Sequence, residues 1–210
     1  MSLRVAVLIS GEGTNLQVLL DTVHGRHGVE IVAVASSTRA AGGLVRAERA
    51  GVETAVFSIA GYPDRAARDR ALGDWLDERS VELVVLAGFM ELLDAELVRR
   101  FAGRMINVHP ALLPAFPGVR AIEQALDHGA KVTGVTVHFV DEGVDSGPII
   151  LQECFELPYS RDIAESEERA HALEHRLLPR AVRLIAEGNV RIDDRNPRLV
   201  HIDKRGDGSH

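Results

Sequence analysis

Cysteine, lysine and aromatic residues are scarce in this sequence of 210 residues. The single cysteine, Cys154, cannot form an internal disulfide, which excludes a small fold held together by disulfide bonds. Aromatic residues make up only 4% of the chain, so its core has to be built from alanine, valine, leucine and isoleucine. The two lysines, Lys131 and Lys204, lack the apolar surroundings that would tune an amine for Schiff-base chemistry.

Positive charge and long apolar runs are also in short supply. The chain has 24 basic against 31 acidic residues, and its net charge of -7 argues against a basic face for nucleic acid. The longest apolar run, residues 83–90, is far shorter than the roughly 20 residues that cross a bilayer. No secretory signal precedes the first apolar run. We therefore expect a cytoplasmic protein that binds neither nucleic acid nor membranes.

Short β-branched runs alternate with longer amphipathic stretches through the first 129 residues. The strand-like runs are RVAVLIS, EIVAVASS, TAVFSI, ELVVLAG and RMINVH, and each precedes a helix-like stretch. Strand followed by helix, repeated in this way, is typical of a parallel sheet. The early runs are apolar throughout, as expected when helices cover both faces. The pattern predicts an α/β fold with a three-layer, Rossmann-like, mostly parallel sheet flanked by helices.

The pattern changes after about residue 130. The segments KVTGVTVHFV and GPIILQECFEL are strand-like and enclose the acidic loop DEGVDS, so we expect a C-terminal β-hairpin or a pair of late sheet strands. A long helix is predicted from about Asp162 to Glu187, with a kink at Pro179. The polar tail, residues 191–210, is expected to hold one strand pair before a disordered end.

A glycine turn, ISGEGTNLQ, joins the first strand to the first helix. Gly11 and Gly13 allow a sharp turn, Thr14 or Asn15 can cap the helix, and the helix N-terminus favours an anion such as phosphate. A dinucleotide site is disfavoured because Leu16 stands where G-x-G-x-x-G requires glycine. An ordinary strand-to-helix turn remains the alternative.

Asn107 and His109 end the strand RMINVH. Residues two apart on a strand leave from the same face, here at the carboxyl edge where open α/β sheets bind ligands. An amide and an imidazole at one spot can stabilise an oxyanion and move a proton. A lone strand-end histidine is often structural, but the loop with Pro110, Pro114 and Pro117 favours a fixed, functional site.

The acidic loop that follows supplies a carboxylate candidate. Of Asp141, Glu142 and Asp145, we expect Asp145 to lie beside His109, orienting the ring and raising its pKa above about 6.5. The alternative is a solvated acidic turn between two strands.

The string H-x-x-E-H, formed by His171, Glu174 and His175, matches an inverted zinc-protease motif. A catalytic zinc needs a third ligand, and the remaining sequence offers no helix with a partner acid, so we expect no metal. Cys154 has no neighbouring metal-ligand spacing and is expected to be a small core residue.

Four segments taken together, GEGTNLQ, LAGFMELL, INVHPALLPAFPG and HFVDEGVDSGPIILQ, resemble the phosphoribosylglycinamide formyltransferase family of the folate-dependent formyltransferase superfamily. The resemblance covers about residues 4 to 187. Methionyl-tRNA formyltransferase differs in the residue after the histidine and in a further C-terminal domain. Formyltetrahydrofolate hydrolase differs in a histidine where Pro110 stands and in an extra N-terminal domain.

The resemblance implies transfer of a formyl group from the co-substrate 10-formyltetrahydrofolate to the amine of glycinamide ribonucleotide, without metal. It implies that Asn107 and protonated His109 stabilise the oxyanion while Asp145 holds His109. The implied ribonucleotide site comprises Gly13, Thr14, Asn15, His171 and Glu174. The implied folate site comprises Arg65, Met90, Glu91, Leu92, Leu93, Asn107, Asp141, Glu142, Gly143, Val144 and Asp145.

One formyltransferase domain is expected over residues 1–210, as a monomer or homodimer. Its phosphate-binding half would span about residues 1–100 and its catalytic half about 101–190, before the tail. The family commonly has arginine where Glu91 stands, which predicts weaker binding of the folate's glutamate tail. The resemblance also predicts a cis peptide bond between Leu113 and Pro114.

Two other functions remain open from the sequence. A regulatory nucleotide-binding domain would use the glycine turn without chemistry, and its Asn107, His109 and Asp145 would be scattered. A formyltransferase-like enzyme with another acceptor, water or an amino sugar, would keep these three residues together.

Overall fold

The computed structural model describes residues 2–158, 160 and 162–203. The predicted disordered end, from residue 204 onward, lies outside the described residues. The strands are β1 (Leu3–Ile9), β2 (Val29–Ser36), β3 (Glu53–Val56), β4 (Leu83–Leu86), β5 (Met105–His109), β6 (Val132–Phe139), β7 (Ile149–Glu156), β8 (Val190–Ile192) and β9 (Val200–Ile202). The α-helices are α1 (Thr14–Thr22), α2 (Gly42–Arg49), α3 (Arg65–Glu78), α4 (Ala95–Arg100), α5 (Ala121–His128) and α6 (Ile163–Ala186), and Ile59–Gly61 form a 3-10 helix.

The main sheet has seven strands in the order β3-β2-β1-β4-β5-β6-β7. The first five in this order pair in parallel, whereas β6 and β7 pair antiparallel to their neighbours. The prediction of a mostly parallel sheet is confirmed. The late segments are both a hairpin and sheet strands, because β6 pairs with β5 as well as with β7.

Helices cover both faces of this sheet, as the apolar strands predict. On β1, Val5, Val7 and Ile9 belong to one core cluster with residues of α1, α2, α5 and α6. Ala6 and Leu8 belong to a second cluster with residues of α3 and α4. Successive side chains of a strand point to opposite faces, so β1 contributes to both cores.

The predicted last helix is confirmed as α6. The carboxylate of Asp162 caps it by accepting from the amide of Glu165 at 3.1 Å, and Pro179 lies within the helix. The kink at Pro179 stays a prediction. Over the described residues, no helix has both the length and the apolar character to cross a membrane.

The predicted strand pair in the tail is confirmed as the antiparallel hairpin β8-β9. The expectation that Cys154 is a core residue is wrong, because its side chain is exposed. β7 is the outer strand of the main sheet, and Gln152, Cys154 and Glu156 share its exposed positions. Ile150 and Leu151 near the start of the strand belong to the core, and Phe155 packs against it while partly buried.

Candidate active site

Asn107 and His109 lie at the carboxyl end of β5, near the middle of the sheet. Asn107 is half-buried, and the His109 side chain is 4% exposed. The segment 88–94 follows β4 at the carboxyl edge of the sheet. The loop 140–148 begins beside the amino end of β5, because β6 is antiparallel to β5 and Phe139 pairs with Ile106, and its Asp145 reaches back to Asn107. Open α/β sheets bind ligands outside the carboxyl ends of their strands, and that region around Asn107 and His109 is called the cleft below.

Asp145 lies between Asn107 and His109. Its Oδ1 accepts from Asn107 Nδ2 at 3.3 Å, and its Oδ2 lies 3.3 Å from His109 Nδ1. The amide of Gly118 donates to the same Oδ2 at 2.7 Å. The carboxylate thus contacts both predicted catalytic side chains, which is expected if the acidic loop contributes to the active site and not if it is only a solvated turn.

The expectation that Asp145 raises the pKa of His109 above its ordinary value is wrong. Burial lowers that pKa below 6.5, and it outweighs the opposing effects of the Asp145 carboxylate and of the Phe116 carbonyl. A carbonyl only accepts, so the 2.9 Å contact with Phe116 O places a proton on His109 Nε2. The Nδ1 atom, which faces the Asp145 carboxylate, then carries a proton as well only in the imidazolium form.

The pKa of Asp145 is lowered for a different balance of causes. Burial raises this pKa. Hydrogen bonds from His138 and from the amide of Gly118, together with the charges of the two nearby imidazoles, lower it by more than burial raises it. Asp145 is therefore an anion at neutral pH and favours any positive charge that develops on the histidines.

His138 is a fourth member of this group that the sequence interpretation missed. It pairs with Asn107 across β5 and β6, is 2% exposed, and lies with Nε2 3.3 Å from Asn107 Nδ2 and 3.6 Å from Asp145 Oδ1. Its Nδ1 donates to the carbonyl of Phe139 at 2.8 Å, and its Nε2 faces both the Asn107 amide and the Asp145 carboxylate. A histidine within the otherwise apolar strand TVHFV was the available signal.

The loop of residues 110–118 is held by Thr136 of β6 and Gln152 of β7. The hydroxyl of Thr136 donates to the carbonyl of Ala111 at 2.6 Å and accepts from the amide of Leu113 at 3.1 Å. Gln152 Nε2 donates to the carbonyl of Leu113 at 2.8 Å. The bond from Leu113 to Pro114 is cis, as predicted. These contacts hold the loop whose Phe116 carbonyl orients His109.

The loop 140–148 is fixed by its own side chains. Asp141 Oδ1 accepts from Ser146 Oγ at 2.7 Å and from the amide of Gly143 at 3.1 Å. A Cβ on Gly147 would lie 1.8 Å from the carbonyl oxygen of Phe139, so only glycine fits there. The backbone of Asp145 has φ 49°, a left-handed conformation that few non-glycine residues adopt. This local strain directs its carboxylate toward the histidines.

The glycine turn lies at the start of α1. The expectation that Thr14 or Asn15 caps the helix is wrong, because Gly13 is the N-cap with φ 72° and makes no side-chain cap bond. A Cβ on Gly13 would lie 2.6 Å from the Cα of Gly43, so α2 packs directly against the turn. The first amides of α1 remain available for an anion.

Asn15 instead contacts the last helix. Its Nδ2 donates to Glu174 Oε2 at 2.8 Å, and both side chains are buried. Burial raises the pKa of Glu174, while Asn15 and the nearby His171 act against that rise. Two predicted ribonucleotide-site segments, 159 residues apart, therefore meet.

The three side chains of the H-x-x-E-H motif do not meet at one point. The rings of His171 and His175 stack with centroids 6.3 Å apart, whereas Glu174 contacts Asn15. Over residues 2–158, 160 and 162–203, no group of three or more histidine, cysteine or acidic side chains is arranged to hold a metal ion.

The residues predicted to hold folate lie on the segment 88–94, in the loop 140–148, at the start of α3 and, for Asn107, on β5. The amide of Met90 donates to Ser10 Oγ at 2.9 Å, which joins the segment 88–94 to the end of β1. Met90 is 74% and Leu92 59% exposed, while Leu93 packs against the second core cluster. Arg65 is exposed at the first residue of α3, and Asp141, Glu142, Gly143 and Val144 are exposed in the loop 140–148.

This arrangement suits acyl-type transfer. Asn107 offers an amide donor, His109 a titratable group and Asp145 a fixed negative charge, and Asp145 lies 3.3 Å from each of the other two side chains. Such a site favours direct attack by the acceptor, with the oxyanion stabilised by neighbouring donors.

Comparison with known proteins agrees with this geometry. The sequence profile of the formyl transferase family matches residues 3–182. The chain is 40% identical over 192 residues to the phosphoribosylglycinamide formyltransferase of Haemophilus influenzae, covering 91% of each chain. It is 46% identical to the trifunctional purine biosynthetic protein adenosine-3 of Bos taurus, covering 91% of this chain but only 19% of that protein. The chain thus spans between 14% and 19% of the length of the trifunctional relatives.

A solved structure gives the same result in three dimensions. The glycinamide ribonucleotide transformylase 1 of Symbiobacterium toebii superimposes with a TM-score of 0.90 at 46% identity. The match covers 96% of this chain and 94% of that one.

Proposed function

The chain belongs to the formyl transferase family, and from this premise we propose that it transfers the formyl group of 10-formyltetrahydrofolate to the amine of glycinamide ribonucleotide. The product would be formylglycinamide ribonucleotide, an intermediate of purine biosynthesis. The observation that carries the proposal is the convergence of Asn107, His109 and Asp145 at the carboxyl edge of the sheet. A regulatory domain without chemistry gives no reason for these residues to meet.

In the proposed reaction the amine nitrogen of the ribonucleotide attacks the formyl carbon directly. The new bond joins that nitrogen to carbon, the bond from carbon to the folate nitrogen breaks, and the proton lost by the amine passes to that folate nitrogen. Asn107 Nδ2 and His109 stabilise the negative oxygen of the tetrahedral intermediate. Protonated His109, held by the ionised Asp145, would place a positive charge beside this oxygen and would keep its proton throughout the step.

The two substrates would occupy the two sides of the cleft. The glycine turn, with Gly13 and Thr14 at the start of α1, would hold the phosphate of the ribonucleotide, and Asn15, His171 and Glu174 would lie along its sugar. The formyl donor would lie against the segment 88–94 and the loop 140–148, with Arg65 nearby. Binding of both substrates would be followed by direct transfer, without a metal.

Several expectations accompany this proposal. A cytoplasmic location, a monomer or homodimer and a single domain over residues 1–210 stay predictions. Glu91 remains the notable departure from the family, because a negative side chain stands where a positive one is common. Weaker binding of the folate's glutamate tail stays a prediction from that departure.

The proposal is tested by following deformylation of a 10-formylfolate analogue by absorbance, with and without glycinamide ribonucleotide. We expect turnover that requires the ribonucleotide. Turnover in water alone would indicate a hydrolase, and turnover only with an amino sugar would indicate another acceptor. No turnover under any of these conditions would contradict the proposal and favour a binding domain.

Replacing Glu174 with glutamine is expected to weaken ribonucleotide binding. Glutamine keeps the volume and can still accept from Asn15 Nδ2, but it removes a buried negative charge. Hydrogen bonds to charged groups are worth about 1.5–3 kcal/mol, so the KM for the ribonucleotide should rise by about tenfold or more. Steady-state kinetics with each substrate varied in turn would measure this change.

The matched control is Glu168→Gln, an exposed residue of the same helix. It should leave both KM values unchanged. An equal rise in the KM of both substrates in Glu174→Gln would argue that Glu174 supports the fold instead of the ribonucleotide.

A further inference from the structure

A buried ion pair lies beneath the segment 88–94, outside the group around His109. Arg68 and Asp69 are consecutive residues of α3, exposed by 0% and 1%, and their side chains pair through Nε and Oδ1. Replacing a buried ion pair with apolar residues is often neutral or stabilising, so such a pair is weak evidence for stability alone. Its other contacts indicate what else it does.

Both side chains bind the backbone of the neighbouring segment. Arg68 Nη2 donates to the carbonyl of Leu92 at 3.2 Å. Asp69 Oδ2 accepts from the amide of Asp94 at 2.6 Å. The pair therefore holds both a carbonyl and an amide of residues 92–94 from the core side.

The Arg68 guanidinium also faces two side chains of the same segment. Its Nη1 lies 3.9 Å from Glu91 Oε2, and its central carbon lies 5.9 Å from the ring centroid of Phe89. This Nη1 has no hydrogen-bond partner in the described part of the chain. Because the arginine is fully buried, its charge is satisfied through Asp69 and through this segment.

The segment itself presents apolar side chains to solvent at the cleft. Met90 and Leu92 are 74% and 59% exposed, so the segment offers two neighbouring apolar side chains to a ligand. Ser10 Oγ accepts from the amide of Met90 at one end, and the Arg68-Asp69 pair holds the other end. Two polar anchors thus hold the backbone of a segment that carries two exposed apolar side chains.

We propose that Arg68 and Asp69 are positioning residues that hold the segment 88–94 as a preformed apolar wall for the aromatic part of the formyl donor. The identity of that ligand rests on the proposed function. The holding of the segment by Arg68 and Asp69, called the clamp below, rests on the contacts described above. Loss of the pair should loosen the wall and weaken donor binding, with little effect on the chemical step at His109. A fixed wall lowers the ordering cost that binding would otherwise incur.

The test compares Arg68→Met with the double variant Arg68→Met/Asp69→Leu. The single variant leaves a buried carboxylate without its partner, so it should lower the thermal midpoint. The double variant is wholly apolar and should recover much of that loss. In both, the KM for the formyl donor should rise by about tenfold, while kcat and the ribonucleotide KM change by less than about twofold.

Arg70→Met provides the matched control, because Arg70 follows on the same helix with its side chain 59% exposed. It should leave all these quantities unchanged. A double variant with wild-type donor KM would overturn the proposal and show the pair to be structural only. If the single variant does not fold, the double variant decides the question alone.

A second experiment tests the clamp independently of the proposed function. If the wild type shows no formyl transfer, hydrogen exchange measures the clamp without any substrate. The amide of Asp94 should exchange faster in the double variant than in Arg70→Met. Equal exchange at this amide would overturn the proposal, whatever the ligand.

Discussion

Replacing His109 with alanine is expected to lower kcat by about a hundredfold to a thousandfold. His109 is the titratable group of the site, and loss of one donor to a developing oxyanion typically costs about 2.7–4 kcal/mol. The neighbouring donor Asn107 and the carboxylate of Asp145 would remain, so a residual rate should persist. Single-turnover measurements with both substrates saturating would separate this loss from any change in binding.

His201→Ala is a suitable control for the first prediction. His201 also contacts a carboxylate, with Nε2 2.8 Å from Asp193 Oδ2, but it lies in the hairpin β8-β9. It should leave kcat unchanged. A His109→Ala variant that keeps more than about a third of the wild-type kcat would contradict a catalytic role for His109.

Replacing Asp145 with asparagine is expected to lower kcat by about a thousandfold. Asparagine can still accept from the amide of Gly118, but it removes the negative charge that faces His109 and His138. Burial already lowers the pKa of His109, and Asp145 opposes that effect, so the pKa should fall further in the variant. The imidazolium needed beside the oxyanion then becomes harder to form.

The Asp145→Asn variant should also shift the pH profile of kcat in a defined direction. Where protonated His109 is required, kcat decreases as pH rises through its pKa, and in Asp145→Asn this decrease should move to lower pH. Asp127→Asn is the control, because Asp127 is an exposed carboxylate of α5 outside the predicted sites. A pH profile for Asp145→Asn that coincides with the wild type would contradict the electrostatic role.

The sequence predicted those parts of the site that depend on local periodicity. Asn107 and His109 are two residues apart on a strand, so their shared face could be predicted directly. The acidic loop could be recognised as a source of a carboxylate, although periodicity does not distinguish Asp145 from Asp141 and Glu142. The order of strands and helices likewise predicted a covered parallel sheet, and the structure confirms it.

The missed features depend on pairing and burial between distant residues. His138 reaches Asn107 only because β6 runs antiparallel to β5, a register that the sequence does not specify. Arg68 belongs to a polar stretch of α3, and no local signal indicates that it is fully buried. The lowered pKa of His109 also follows from burial, which outweighs the neighbouring charge that the sequence suggested.

The exposed position of Cys154 has a practical consequence for observing the site in motion. It is the only thiol in the chain, and it lies on β7, the strand that leaves the acidic loop 140–148. A thiol-reactive fluorophore would attach at one defined position without any engineered residue. Its emission could then report, in real time and on the unmodified active site, whether that loop moves when each substrate binds.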